Sequence, residues 1–344
     1  MPIKLSICIA TYNRGAYIGA TLDVILAQLR PGVEIVVVDG ASPDDTSDVM
    51  AAYQERCSEI RYFREAKNSG VDADFDKAVS YASGEYCWLM TDDDLLKSDA
   101  ISRVLSELDG NKELIVLNSE VRNIELTNVF EDRRLKLIED REYCKETKEL
   151  MFSDTAAYLS FIGCVVIKRS CWLERDRASY YGTLFIHVGV IFQAPSLTEV
   201  KVIADPLVIV RYGNAMWSSR AFEIWMFKWP RLIWSFSEFS PERKRLVCRR
   251  EPWRSVKALI HNRALGAYNI AEFRNLPKLG KYSLSFVFSF LVSIFPAALA
   301  NVIMVLYFST LGRPAPMAIH DLLFSRNASK TSRFIARVLG YEER

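Results

Sequence analysis

No Cys-x-x-Cys pair occurs anywhere in the 344 residues, and the seven cysteines are scattered and odd in number. This excludes a disulfide framework and a cysteine-ligated zinc site, and it points to a reducing compartment. No Gly-x-Gly-x-x-Gly turn follows the first apolar run. "ATYNRG" stands there instead, which argues against a dinucleotide-dependent oxidoreductase. There is no internal repeat and no low-complexity linker. The opening "MPIKLSICIATYNR" turns polar after Ala10, too early for a signal peptide, so the fold is expected to begin at once. Charge is missing altogether from Tyr282 to Leu311, a run of thirty residues.

Half of the residues are hydrophobic and a quarter are charged, which is enough apolar material for a large core. The net charge of +2 hides a division. Residues 1–219 hold 24 basic and 34 acidic side chains, whereas residues 220–344 hold 20 and 8. Such asymmetry points to a polyanionic partner for the second part. No nucleic-acid-binding motif accompanies it, so the expected partner is an anionic membrane surface rather than nucleic acid.

The first third alternates strand and helix signals. Apolar strands are expected at 5–10, 34–39, 60–65, 86–90 and 114–118. Helices are expected at 16–29, after Ser42 as N-cap with Pro43 at the first helical position, at 72–83 and at 98–109. Further strand signals lie at 161–169 and 200–213, and 143–160 looks helical. Continuous apolar strands alternating with helices predict a mostly parallel sheet covered on both faces, an α/β fold.

In such sheets ligands bind beyond the carboxyl ends of the strands. Thr11, Asn13 and Arg14 follow the first strand, Asp39 ends the second, and Asp92, Asp93 and Asp94 end the fourth. One acid would satisfy a helix dipole; three in a row call for a cation. Mg²⁺ or Mn²⁺ takes oxygen ligands, usually one or two carboxylates together with substrate phosphates.

The blocks "SICIATYNR", "EIVVVDGASPDDT", "KNSGVDADFDKAV" and "GEYCWLMTDDD", in this order, resemble the GT-A-fold family 2 glycosyltransferases. The resemblance covers residues 1 to about 120 closely and 160–219 loosely. It implies a Rossmann-like GT-A domain over 1–219, a nucleotide-diphosphate sugar donor and a metal-binding acidic element. It also implies that Thr11, Tyr12 and Arg14 line the nucleotide pocket, that Asp39 holds the base, and that Asn68, Gly70 and Asp74 border the donor. Asp93 and Asp94 are then the expected metal contacts, Asp92 a weaker one, and Arg211 a basic group facing the diphosphate. Two departures stand out. Thr91 occupies the place of an expected aspartate, and Ile186-His187 replaces the Glu-Asp pair that supplies the catalytic base. His187 therefore falls where the base should be, and its plain alternative is a core histidine. The stretch "GEYCWLMTDDDLLKSDAI" looks most like bacterial O-antigen enzymes of the abequosyltransferase type. That implies a CDP-, dTDP- or UDP-linked sugar, a deoxyhexose by that likeness, and a polyprenyl-diphosphate-linked glycan acceptor.

The basic, Trp-rich 220–281 segment is expected to be helical and amphipathic, since tryptophan favours headgroups and Lys/Arg favour anionic lipid. Pro296 splits 282–311 into halves of about 21 Å at 1.5 Å per residue, short of a ~30 Å hydrocarbon core. Basic residues flank both ends, at Arg274, Lys278 and Lys281 and at Arg313 and Arg326. A re-entrant helix–break–helix is expected, with a single kinked span as the alternative. The 312–344 tail reads as a basic amphipathic helix, lying on the surface or joining copies of the chain. With the resemblance, these features imply a protein expected at the cytoplasmic face of a bacterial inner membrane, attached through its C-terminal region. A non-catalytic nucleotide-sugar-binding scaffold is the competing reading.

Overall fold

The computed structural model describes residues 2–216, 220–277, 284–311 and 315–341. Lys278, Lys281, Arg313 and positions 282–283 lie outside the described residues. The chain forms two compact units. One is made of Met1–Arg211 with Ser235–Val247, the other of Tyr212–Trp234 with Cys248–Arg344. The expected division at 220 thus meets a break at Arg211, and part of the expected 220–281 segment folds with the first unit. Aromatic packing explains that return: Phe239 stacks on Phe152 at 4.1 Å, and the Ser240 N–H and hydroxyl donate to Glu149.

The first unit holds one ten-stranded sheet. Its strands are β1 (Leu5–Thr11), β2 (Val33–Asp39), β3 (Ile60–Arg64), β4 (Tyr86–Met90), β5 (Leu95–Leu96), β6 (Leu114–Arg122), β7 (Val129–Glu131), β8 (Arg141–Tyr143), β9 (Val165–Lys168) and β10 (Val200–Arg211). The order is β3-β2-β1-β4-β9-β6-β10-β5, with β7 beside β6 and β8 beside β10. β3, β2, β1 and β4 run parallel. β9 runs antiparallel between β4 and β6, and β6 pairs in parallel with β10. Every residue of β1, β2 and β4 is buried, as their largely apolar runs require when helices cover both faces, and the buried Ser6 hydroxyl donates to Glu34.

Four helices alternate with these strands: α1 (Gly15–Ala27), α2 (Thr46–Arg56), α3 (Val71–Tyr81) and α4 (Ala100–Leu108). Three more follow at α5 (Lys148–Thr155), α6 (Arg169–Glu174) and α7 (Ile186–Phe192). The expected start of α2 at Ser42 is corrected. The Ser42 hydroxyl donates to Asp39 and accepts from the Asn13 N–H, so it laces two strand-end loops and does not cap a helix.

The second unit is helical. A helix at Leu284–Ile294 and a stretch at Ala297–Leu311 meet at a 105° bend beside Pro296. Among the described residues no single helix is long and apolar enough to cross a membrane. These helices bury polar side chains beside Val292, Ala300, Met304 and Val305 and leave many large apolar ones exposed. Ser289 and Ser293 are 2 % exposed and Asn301 is fully buried, while Leu284, Val287, Phe288, Leu291, Ile294, Leu299 and Ile303 face outward. Asn301 is the hub of this unit. Its Nδ2 donates to the Leu322 carbonyl at 2.8 Å, and its Oδ1 accepts from the Ser332 hydroxyl at 2.6 Å. It thereby ties Ala297–Leu306 to helices Pro316–Phe324 and Lys330–Val338.

Candidate functional site

Strand register brings the strand-end residues together. Thr11 pairs with Asp39, and Ile9 with Met90, so the loop holding Asp92 leaves β4 level with the end of β1. Side chains of the β2–α2 loop secure the turn into α1. The N–H groups of Asn13, Arg14 and Gly15 donate to Ser42 Oγ, Thr46 Oγ1 and Asp44 Oδ2. Asn13 and Ala41 hold left-handed backbone at φ of 59° and 63°, a conformation that costs free energy and clusters at functional sites.

The acidic run is pinned at several points. Arg211 Nε donates to the Asp93 carbonyl at 2.9 Å, and Thr21 Oγ1 donates to the Asp94 carbonyl at 2.9 Å. The Asp94 carboxylate accepts from the Arg211 N–H at 2.7 Å and from the Thr91 hydroxyl. Asp94, expected beside Asp93 as a metal contact, is therefore turned away into the structure and anchors the loop. Burial, then the neighbouring Asp93, pushes its carboxyl well above the usual range. Thr91 serves that anchor, which accounts for a hydroxyl where an aspartate was expected.

Asp92 and Asp93 instead face Arg14 together. Asp92 Oδ1 lies 3.6 Å from Arg14 Nε, and Asp93 Oδ2 lies 3.6 Å from Arg14 Nη2. Burial, and next the charge of Asp93, raise the Asp92 carboxyl to about 7, against the pull of Arg14. Two adjacent buried carboxylates form a donor pair suited to a hard cation. The buried Thr11 hydroxyl lies beside Asp92 and favours the charged form of its carboxyl. Among the described residues no group of three or more His, Cys, Asp or Glu is arranged to hold a metal. The fit is thus to an ion taking two protein carboxylates and completing its shell from a ligand and water.

Other expected contacts are distributed as follows. Asp39 is buried and accepts from the Ser42 N–H and hydroxyl and from the Tyr62 hydroxyl at 2.6 Å. Asn68 Oδ1 accepts from the Gly70 N–H, and Asp74 accepts from Ser69. Gly40 lies against them: a Cβ there would sit 2.7 Å from Asp74 Oδ2, so a larger residue would have to displace that carboxylate. Tyr12 is half-buried. Arg211, expected to face a diphosphate, donates instead to the carbonyls of Asp93 and Ile124, and its guanidinium lies over the Tyr17 ring. It positions the acidic loop.

His187 is corrected. It lies in α7, all seven residues of which are buried. Its Nε2 donates to the Leu159 carbonyl at 2.6 Å, while Nδ1 is buried without a partner. A general base must reach the proton it removes, and this ring reaches none from solvent. Burial also lowers its pKa to about 4. A histidine unfolded at about 6.5 and native at about 4 binds protons more readily in the unfolded chain. Its stabilisation is therefore complete above pH 6.5 and lost as pH falls towards 4, a loss of roughly 3 kcal/mol. His187→Gln is expected to flatten the acid limb of a urea-denaturation pH series. An unchanged limb would contradict this burial account.

Sequence reasoning missed Asp72 and Asp76. Asp72 accepts from the N–H groups of Leu184 and Ile186, so it supplies the carboxylate at the start of α7. Asp76 accepts from Trp172 Nε1 and the Tyr181 hydroxyl and pairs with Arg177. The available signal was their i, i+4 spacing in "DADFD", which puts both on one face of α3.

A mostly parallel sheet with acids gathered beyond the carboxyl ends of β1, β2 and β4 defines the class, an α/β protein with a ligand crevice at its strand ends. The comparisons narrow it. Residues 6–171 match the family model Glycosyl transferase family 2. The abequosyltransferase RfbV of Salmonella typhimurium is 30 % identical over 227 residues, 61 % of this chain and 67 % of that protein. The chain belongs to glycosyl transferase family 2. The GalNAc(5)-diNAcBac-PP-undecaprenol beta-1,3-glucosyltransferase of Campylobacter jejuni is 31 % identical over 105 residues, 30 % of this chain and 34 % of that protein. In fold, the chain is similar to S. aureus TarS 1–349 in complex with UDP. The TM-score is 0.54 at 15 % identity, covering 99 % of this chain and 93 % of that one.

Proposed function

We propose that the protein moves a hexose, a deoxyhexose by its similarity to an abequosyltransferase, from a nucleotide-diphosphate sugar to a polyprenyl-diphosphate-linked glycan of a bacterial surface polysaccharide. The observation that carries the reading is the buried Asp92–Asp93 pair, side by side at the strand ends and facing Arg14. Asp92 and Asp93 would hold Mn²⁺ or Mg²⁺, whose charge would stabilise the departing diphosphate. Arg14 brings a further cation to that place. Thr11, Tyr12 and Asp39 border the nucleotide, and Asn68, Gly70 and Asp74 the sugar. For Asp39 to meet a base, Ser42 and Tyr62 must share its oxygens with the ligand.

The acceptor named for the Campylobacter relative is a polyprenyl-linked glycan, and the second unit supports the same choice here. Helices that display this much leucine, phenylalanine and isoleucine at their surface are suited to lipid. Their bend beside Pro296 and their short arms support insertion into one leaflet from the cytoplasmic side. The exposed Phe334 and Val338 on a helix with Lys330, Arg333 and Arg337 support a tail lying on anionic lipid.

The test is a thermal-shift comparison of CDP, dTDP and UDP, each with and without Mn²⁺. A ligand at a hundred times its Kd adds about 2.7 kcal/mol, which raises Tm by about 5 °C. One nucleotide is expected to do so only with Mn²⁺. No shift with any pair would overturn the reading.

A further inference from the structure

We infer that the second unit seats side-on in an anionic bilayer surface, with both arms of the bent pair lying in the plane of the interface and the bend held at headgroup level. This rests on the lipid reading above and adds to it how the unit meets the leaflet.

The exposed apolar side chains keep helical spacing. Leu284, Val287, Leu291 and Ile294 recur at three and four residues along the first arm, and Leu299, Ile303 and Leu306 along the second. Each arm thus offers one apolar side along its length and turns the other inward, where Ser293 and Asn301 lie. One helix, Val256–Leu265, backs both arms: its Leu259 packs in a cluster with Val292, and its Ala264 in a cluster with Ala300 and Met304. Helices displayed in this way meet a membrane along their sides, with the apolar face about 5–10 Å into the boundary between headgroups and acyl chains.

Cations at the two ends of the second arm decide between this seating and entry by the bend. At one end Lys257, exposed, donates to the Tyr307 hydroxyl at 2.6 Å and lies 4.2 Å from the centre of that ring. At the other, Arg263 Nε donates to the Phe295 carbonyl beside the bend at 2.7 Å, and its Nη1 donates to the Tyr268 carbonyl at 3.2 Å. Arg326, exposed, donates to the Gly266 carbonyl at 2.8 Å, at the same end of Val256–Leu265 as Arg263. These partners are neutral carbonyls, which do not cancel the charge of either guanidinium. Entry by the bend would carry the far end of a ten-residue arm about 15 Å down, to the middle of a ~30 Å hydrocarbon core. Both arginines would go with it, and a charged side chain at that depth is among the costliest placements in a membrane. Seated side-on, Lys257 and Arg326 stay level with each other and reach the phosphates of anionic headgroups. A second copy of the chain would bring an equally basic rim against this one, so charge favours the bilayer as the occupant.

The experiment uses the full chain with a fluorescent amino acid introduced in turn at the exposed positions Leu291, Ala298 and Ile303. Each protein is bound to vesicles of phosphatidylcholine and phosphatidylglycerol that carry a nitroxide quencher near the headgroup or near the chain end. The three positions are expected to be quenched alike, within twofold, and more strongly by the headgroup-level quencher. Quenching at Ala298 chiefly by the chain-end quencher, with Leu291 and Ile303 shallower, means entry by the bend; it overturns the inference and leaves the lipid reading standing. Absence of quenching at all three positions overturns both, and a dimer in solution would then assign the faces to a second copy. Arg326→Gln gives a reading of opposite sign for the two seatings. Side-on seating predicts about fivefold weaker partition onto the anionic vesicles and no change on phosphatidylcholine alone. Entry by the bend predicts tighter partition onto both. Tighter or unchanged partition onto the anionic vesicles overturns the inference.

Discussion

Asp93→Asn is expected to lower the rate of sugar transfer about 10³-fold, equivalent to about 4 kcal/mol of transition-state stabilisation, while the folded protein persists. The substitution keeps the shape of the side chain and removes one of two carboxylates that face Arg14. In the ligand-free protein it relieves repulsion, because the charge of Asp93 is the second cause, after burial, of the raised Asp92 carboxyl. Tm without ligand should therefore not fall. Asp94→Ala should behave differently. It strips the Arg211 N–H and the Thr91 hydroxyl of their buried acceptor and should cost about 1–3 kcal/mol of stability. Steady-state kinetics beside urea denaturation separates the two. A scaffold that binds sugar nucleotides without turnover would show no rate for Asp93→Asn to lower. Equal stability losses at both positions would mean that Asp93 too is an anchor.

The second large effect concerns lipid. Val287→Asp with Leu291→Asp places two charges on the outward face of Leu284–Ile294, where both side chains are already exposed, so folding in water should be unaffected. Burying a charge in the hydrocarbon core costs about 2.5–3.5 kcal/mol on insertion scales. Two such costs should reduce partition onto vesicles containing anionic lipid by more than about 10³-fold, read by co-sedimentation. Wild-type protein that stays in the supernatant, or a double variant that sediments with it, would remove the membrane from the account.

Much of the first unit was legible because its signals are local. β1, β2 and β4 are largely apolar runs, and the acids after them fall at strand ends whatever the partners of those strands. The antiparallel insertion of β9 between β4 and β6 was not legible, since strand order depends on contacts between distant segments. Within the site, the identity of the acidic run could be read, but its division of labour could not. Which of three consecutive aspartates faces the crevice depends on Arg211, 117 positions away from Asp94, donating its N–H to one of them. His187 failed for a related reason: its alignment with a base position says nothing of the Leu159 carbonyl that holds its proton. The Pro296 break could be read directly, whereas the burial of Ser289, Ser293 and Asn301 required the folded helices.

The most direct test of the central claim is an anomalous-scattering map at the manganese edge from crystals grown with Mn²⁺ and the nucleotide that raises Tm. The account predicts a peak bridging the Asp92 and Asp93 carboxylates and the diphosphate, with Asp94 still bound to the Arg211 N–H. A nucleotide bound in the crevice with no peak at that pair, or a peak elsewhere, would contradict it.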